Sequence, residues 1–302
     1  MLAILAPGQG SQTPSMLTAW LEDAELKNLL TSYSSAINLD LERLGTVADA
    51  DEIKDTANAQ PLIVAASLIS AHALGSDLHI SLFAGHSVGE IAAAALAGTI
   101  TDIDAMKLVH LRGQEMAKAA ALSPAGMAAV LGGERSVVLA AIKELGLVAA
   151  NDNGAGQIVA AGNLDALSQL APEGARVRAL AVAGAFHTPF MEPAVAPLRA
   201  MAADIETSAA KVSVISNRDG AVVRDGREVL DRIVNQIANP VRWDLCMETL
   251  RAQGVTGVIE LAPGGTLAGL IKRAAPEIEQ LALKSPADIA AAREFAARHG
   301  KA

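Results

Sequence analysis

The sequence predicts an α/β fold: a hydrolase-like parallel sheet core with helices on both faces, plus an inserted ferredoxin-like α+β subdomain. Three observations carry this reading. Short apolar runs alternate with longer helix-forming stretches along most of the chain, as strands and their covering helices do. A serine bracketed by glycines, in Gly85-His86-Ser87-Val88-Gly89-Glu90, stands between one such run and an alanine-rich helix. Between about 124 and 190 the order becomes strand-helix-strand-strand-helix-strand, which is that of a split βαβ unit. The expected division is therefore 1–123 with 191–302 for the large part and 124–190 for the insertion.

The chain is long enough, at 302 residues and 51% hydrophobic, to bury one large core with a smaller one inserted. Aromatic residues are only 2%, which favours helices packed closely on a sheet over an aromatic-lined groove. A net charge of -9 with no basic block argues against nucleic acid as the main partner. The single cysteine, Cys246, excludes an intramolecular disulfide and a cysteine-based metal site. The apolar start Met1–Ala6 ends at Pro7-Gly8 and lacks the basic residues of a signal peptide. No uninterrupted apolar run reaches about 18 residues, so no membrane partner is expected and the protein reads as cytoplasmic.

In chain order, residues 2–6 make a first strand, followed by the loop Pro7–Gln12. Helices are expected over Trp20–Leu30, Ser32–Ile37 and Leu62–Leu74, the last opened by Pro61 because proline suits a first helical turn. His79–Ala84 is the strand before the serine, and Ile91–Ala97, closed by Gly98, is the helix after it. Thr101-Asp102 caps a helix that runs to about Ala121 and carries Arg112. Within the insertion, strands are expected at Gly126–Leu131, Val148–Ala150, Gln157–Ala161 and Arg176–Ala183, with helices at Ser136–Leu145 and Leu164–Leu170. The large part resumes with a helix at Pro193–Ile205, a strand at Val212–Ser216 and helices at Val229–Ile237 and Asp244–Gln253. A strand at Gly257–Leu261 and a helix at Leu267–Ala274 follow, and the tail after Ser285 reads as helical.

A Gly-x-Ser-x-Gly turn between strand and helix is the setting of a nucleophile elbow. Gly85 and Gly89 remove side chains that a tight, strained turn would not admit, Ser87 stands at a helix N-terminus, and the Val88 N–H points where an oxyanion would form. A serine nucleophile needs a base. His86 adjoins Ser87 and points away from it, while His72 and His110 fall inside helical patterns. His187 follows a strand on the irregular turn where the insertion rejoins the large part, the best placement for a base. Asp152 is the one fair candidate for a triad acid, and a neutral acceptor on the other ring nitrogen is the alternative.

The loop Gly8-Gln9-Gly10 lacks the third glycine of a dinucleotide fingerprint and the lysine of a P-loop. Gln9 could instead direct its side-chain amide at an oxyanion. Arg112 lies among Leu108, Val109, Leu111 and Met116, and a buried arginine calls for a carboxylate from the protein or from a ligand.

These motifs, with Gln60-Pro61, Leu111-Arg112-Gly113, Gly156–Val159, Asn239-Pro240-Val241-Arg242-Trp243 and Pro263-Gly264-Gly265-Thr266, resemble nearly end to end the malonyl-CoA:acyl carrier protein transacylases. The alanine-rich text is most similar to actinobacterial members, including those of polyketide producers. The resemblance implies an acyltransferase that uses malonyl-CoA as substrate and acyl carrier protein as acceptor, without a cofactor or metal, for fatty acid or polyketide synthesis. It further implies Ser87 as the acylated nucleophile and His187 as base, with Gln9 and the Val88 N–H as oxyanion hole. Arg112 would hold the malonyl carboxylate, and the backbone carbonyl of Gln236 would orient His187. Asn153 would lie near the site, and Phe186, before the catalytic histidine, goes with malonyl over methylmalonyl. Thr188, where many members have serine, and Pro263-Gly264-Gly265, where Gly-Pro-Gly is commoner, depart from the pattern. Lys272-Arg273 and Lys211 are candidates for meeting an acidic carrier protein. A serine hydrolase and a non-catalytic carrier-docking domain are the competing readings.

Overall fold

In a computed structural model, which describes residues 1–300, eleven strands fall into two sheets. Residues 301 and 302, the end of the expected large part, lie outside the described residues. The strands are Leu2–Ala6 (β1), Leu82–Gly85 (β2), Ala125–Gly132 (β3), Val148–Asp152 (β4), Gln157–Asn163 (β5), Ala175–Ala179 (β6), Ser213–Ile215 (β7), Val222–Val223 (β8), Val241–Arg242 (β9), Gly257–Glu260 (β10) and Glu279–Ala282 (β11).

The large sheet has the order β11-β10-β1-β2-β7-β8 and is parallel except for β8. Side chains alternate across a strand. Leu2 and Ile4 of β1 therefore join Phe83, Val214 and Ile259 on one face, with the helices Thr56–Leu74 and Asp102–Ala120. Ala3 and Leu5 join Leu82, Ala84, Ile215 and Val258 on the other, against Trp243, Cys246, Leu250, Leu267 and Leu270. Both faces are covered, which is why these strands read as unbroken apolar runs.

The second sheet has the order β6-β3-β5-β4-β9. Its first four strands pair antiparallel in the ferredoxin-like order. The helices Arg135–Glu144 and Leu164–Ser168 cover one face around Val130, Val138, Ile142, Ile158 and Leu167. Met127, Ala129 and Val159, on the alternate face, line a cleft toward the large sheet. The two residues of β9 come from the returning chain and pair parallel to β4, so both parts contribute to the small sheet.

Several elements differ from expectation. The helix expected from Leu62 begins at Thr56, where the Asp55 side chain accepts the Ala57 N–H, so Pro61 lies inside it. That helix has the length and mean hydropathy (1.2) of a membrane span, and it is a core helix here, buried between the sheet and its neighbours. The two helices expected over 20–37 are a short turn at Trp20–Glu22 and one helix, Ala24–Ile37, capped by Asp23. β6 stops at Ala179, four residues early. β8 and β9, two residues each, are too short for a periodic signal, and β11 (Glu-Gln-Leu-Ala) is a half-exposed edge strand. The tail helix Ile289–His299 packs Phe295 and Ala296 into the main core.

One contact positions the site. The elbow turn folds so closely on β1 that a Cβ at Gly89 would sit 2.2 Å from the Ala6 carbonyl oxygen, and one at Gly85 would sit 2.1 Å from the Gly89 carbonyl. Backbone atoms cannot yield to such an overlap. Gly89→Ala is accordingly expected to destabilise the fold by about 3 kcal/mol or more, read by urea denaturation.

Candidate active site

Parallel strands bring their carboxyl ends to one edge of a sheet, and ligands of open α/β sheets bind there. The loop Pro7–Gly10 follows β1, Ser87 follows β2, Asn217 follows β7, and Glu260 closes β10. The cavity at this edge, ≈ 270 Å³, is lined by Gln9, Gln60, His86, Ser87, Asn153, Phe186 and His187 among others. Its far wall includes Met127, Val159, Leu180 and Val182, and Leu267 and Leu270 close another side. The helix carrying those two leucines, Thr266–Ala274, is held by Glu260, whose buried carboxylate accepts the N–H groups of Gly265, Leu267 and Ala268.

Ser87 adopts φ 52, a left-handed angle uncommon for serine. Asn217 holds it there. The Asn217 side-chain oxygen accepts the Ser87 N–H at 2.7 Å, and its nitrogen donates to the Gly85 carbonyl at 2.7 Å, so one amide spans both sides of the turn. Ser87 Oγ lies 2.7 Å from His187 Nε2. On the other side of the ring, His187 Nδ1 lies 2.8 Å from the Gln236 carbonyl oxygen. A carbonyl only accepts, so Nδ1 carries the proton and Nε2 offers its lone pair to the Ser87 hydroxyl.

Gln236 ends the helix Gly226–Gln236, where main-chain carbonyls lack helical partners. His187 supplies donors to two of these carbonyls: Nδ1–H to Gln236 and its own N–H to Ile237 at 3.1 Å. The negative end of that helix favours an imidazolium when one forms. Asp152 is engaged elsewhere, accepting from Arg135 at 2.6 Å, so the acid weighed for His187 is not beside it. Burial pushes His187 down to about 3, and the nearby Arg112 charge pushes the same way. The resting ring is therefore neutral.

Arg112 is fully buried. Its partners are neutral: Nη1 donates to Gln60 Oε1 at 2.7 Å and Nη2 to Gln236 Oε1 at 3.0 Å, while Ser87 Oγ lies 3.5 Å from Nη2. Its Nε has no partner among the described residues. Burial lowers Arg112 to about 10, which leaves it a cation at neutral pH. The geometry thus brings a buried positive charge beside the Ser87 hydroxyl, with N–H groups to spare.

The Gln9 side chain is turned from its expected direction. Its amide nitrogen donates to Thr56 Oγ1 at 3.3 Å and its oxygen accepts from Gln60 at 3.4 Å. Its main-chain N–H and that of Val88, the residue after Ser87, make no hydrogen bond among the described residues. Asn153 accepts from His86 Nε2 at 2.8 Å, and Phe186 is buried against the cleft. His86 also meets the edge of Trp243. His72 pairs with Asp102 away from the cavity, and Lys211 lines a separate pocket with it.

Three residues at the site were assigned no role from sequence: Asn217, Gln60 and Glu90. Asn217 had a usable signal, since it stands at the carboxyl end of the strand beside the elbow strand. Gln60 and Glu90 act through buried contacts that spacing does not reveal.

A neutral base sets a clear expectation. Modification of Ser87 by a sulfonyl fluoride should proceed at nearly constant rate from about pH 8 to about pH 5, whereas an unperturbed histidine would lose it near pH 6.5. Mass spectrometry of the adduct against time checks this.

The acyl transferase domain pattern matches residues 5–291. The chain is 52% identical over 299 residues to the malonyl CoA-acyl carrier protein transacylase of Mycobacterium tuberculosis, covering 96% of this chain and 98% of that one. It is 33% identical to the protein of the same name from Escherichia coli K12, covering 97% and 99%. The crystal structure of MCAT from M. tuberculosis superposes with a TM-score of 0.93 over 97% of this chain and 99% of that one, at 51% identity. An acyl-carrier-protein S-malonyltransferase from Burkholderia pseudomallei superposes at 0.92, with 36% identity over 97% and 99%. A strained serine, a histidine held by a helix-end carbonyl and a buried arginine thus lie within a chain that belongs to the acyl transferase family of the malonyl CoA-acyl carrier protein transacylases.

Proposed function

We propose that the chain moves a malonyl group from malonyl-CoA to the phosphopantetheine thiol of acyl carrier protein through a malonyl-Ser87 intermediate. The observation that carries this is Arg112: a fully buried cation, with only neutral partners, 3.5 Å from the nucleophile oxygen. Such a site favours an acyl group with its own carboxylate.

His187 Nε2 takes the Ser87 proton as Oγ attacks the thioester carbon. The main-chain N–H groups of Gln9 and Val88 hold the oxyanion, a role worth about 2.7–4 kcal/mol per donor. The Gln236 carbonyl and its helix end stabilise the imidazolium. The C–S bond breaks, the coenzyme A sulfur leaves with the proton from Nε2, and malonyl-Ser87 remains. The carrier thiol then gives its proton to Nε2, attacks the ester and restores Ser87 in the reverse sequence. These groups supply every proton and charge the transfer uses, so the reading calls for no cofactor or metal. Arg112 holds the carboxylate in both halves, and Asn153 lines the acyl path through His86. The Phe186 ring occupies space that an α-methyl substituent would need. Exposed Lys272 and Arg273, on the helix whose inner leucines wall the cavity, suit an acidic carrier. We further propose residues 124–190 as the small subdomain and the cytoplasm as the site of action, supplying fatty acid or polyketide synthesis.

The test is intact mass after brief incubation with malonyl-CoA. Wild type should gain one malonyl group and Ser87→Ala none, while acetyl-CoA should label poorly. Arg112→Ala should lower the malonyl-over-acetyl preference roughly 10- to 100-fold, the loss of a charge-assisted contact. Phe186→Ser should admit methylmalonyl-CoA. Steady release of coenzyme A without an adduct would instead indicate a hydrolase, and no adduct with no release would indicate a docking domain.

A further inference from the structure

Glu90 is 2% exposed, carries an acid group in the first turn of the elbow helix, and takes no part in the transfer described above. Both its oxygens are engaged. One accepts from the Gln236 side-chain nitrogen, and the other accepts the Asn217 N–H at 3.2 Å. The Gln236 amide is thereby oriented: its nitrogen faces Glu90, and its oxygen accepts from Arg112 Nη2 at 3.0 Å. The same nitrogen lies 3.1 Å from Asn217 Oδ1 and 3.2 Å from the Ser87 carbonyl.

We propose that Glu90 is a positioning residue for malonyl selection, acting through the Gln236 amide on Arg112 and through Asn217 on Ser87. The carboxylate meets only donors, which fixes the amide nitrogen of Gln236 toward it and the amide oxygen toward the guanidinium. Burial raises the Glu90 carboxyl to about 7, so it is mostly the anion at about pH 8, and an amide polarised between that anion and the Arg112 cation strengthens both hydrogen bonds. Arg112 is held at one corner while its Nε and its remaining N–H groups stay available. The main-chain carbonyl of the same Gln236 holds His187, so one residue registers the clamp against the base. This inference rests on the reading of Arg112 as the carboxylate contact.

Glu90→Gln tests it, because the change keeps the shape and removes one acceptor. Asn217 is fixed in the main chain, its carbonyl taking the Arg242 N–H at 2.7 Å, so the introduced oxygen stays with the Asn217 N–H. The introduced nitrogen then faces Gln236, whose amide must turn and present its own nitrogen to Arg112. Acylation rates with malonyl-CoA and acetyl-CoA, read by intact mass, should show the malonyl preference reduced about tenfold, mainly through a higher half-saturating malonyl-CoA concentration. Gln236→Leu removes the relay from its other end and keeps the main-chain carbonyl. It should lower the preference likewise, and it stands as the second variant if Glu90→Gln does not fold. Arg112→Ala is run beside both. A lost preference in Arg112→Ala with an intact one in either folded variant overturns the relay alone. Equal loss of both rates, with preference unchanged, marks a merely structural carboxylate and also overturns it. An unchanged preference in Arg112→Ala overturns the clamp reading and the relay with it.

Discussion

The left-handed turn at Ser87 is the constraint on which the rest of the site depends. A serine at φ 52 is disfavoured by its own Cβ and persists only where surrounding contacts over-determine it. Here the contacts come from three strands at once. β1 presses the Ala6 carbonyl against Gly89, β2 delivers Gly85 into the turn, and β7 supplies Asn217 to tie the two sides together. The strain turns the Ser87 hydroxyl off the sheet and toward His187.

His187 shows how a helix can do the work of an acid. In a triad a carboxylate orients the imidazole and stabilises its charged form. Here the end of the helix Gly226–Gln236 does both, since its unpaired carbonyls need donors and its dipole places negative potential at that end. The arrangement suits a site that also holds Arg112. A carboxylate beside His187 would sit close to the guanidinium and could form an ion pair with it. A carbonyl acceptor avoids that competition, and the Arg112 charge helps keep the resting histidine neutral and ready to take a proton.

Much of this was legible in the sequence. Gly85–Glu90 marked the strand-to-helix turn because steric limits on such an elbow leave few alternatives at the glycine positions. The apolar runs at residues 2–6, His79–Ala84 and Gly257–Leu261 pointed to the parallel core, since strands buried on both faces lose their alternation, and the second run pairs only from Leu82. Elements whose identity is set by neighbours were less legible. Val241–Arg242 becomes a strand only because β4 is beside it, and Thr56–Gln60 joins a helix on the far side of a proline because Asp55 caps it. The direction of the Gln9 amide depends on Thr56 and Gln60, which are 47 and 51 residues away. Glu90 reads from sequence as an ordinary first-turn acid, and only the fold reveals that it is buried.

The neutral surroundings of Arg112 match what the proposed carboxylate clamp would require in order to be reused. A carboxylate from the protein in direct contact would satisfy the guanidinium and compete with an incoming one, so binding would have to break an ion pair. Leaving the cation with no polar partner would make its burial too unfavourable to sustain. Two glutamine oxygens, from Gln60 and Gln236, fall between these limits: they fix the plane of the guanidinium without neutralising it. Glu90 places its carboxyl one amide further out, where as the anion it offsets the buried cation without itself contacting the guanidinium. On the proposed reading, selectivity for a charged acyl group would arise from this electrostatic balance: the buried guanidinium retains donor capacity, and an acyl group bearing a carboxylate would supply the acceptor.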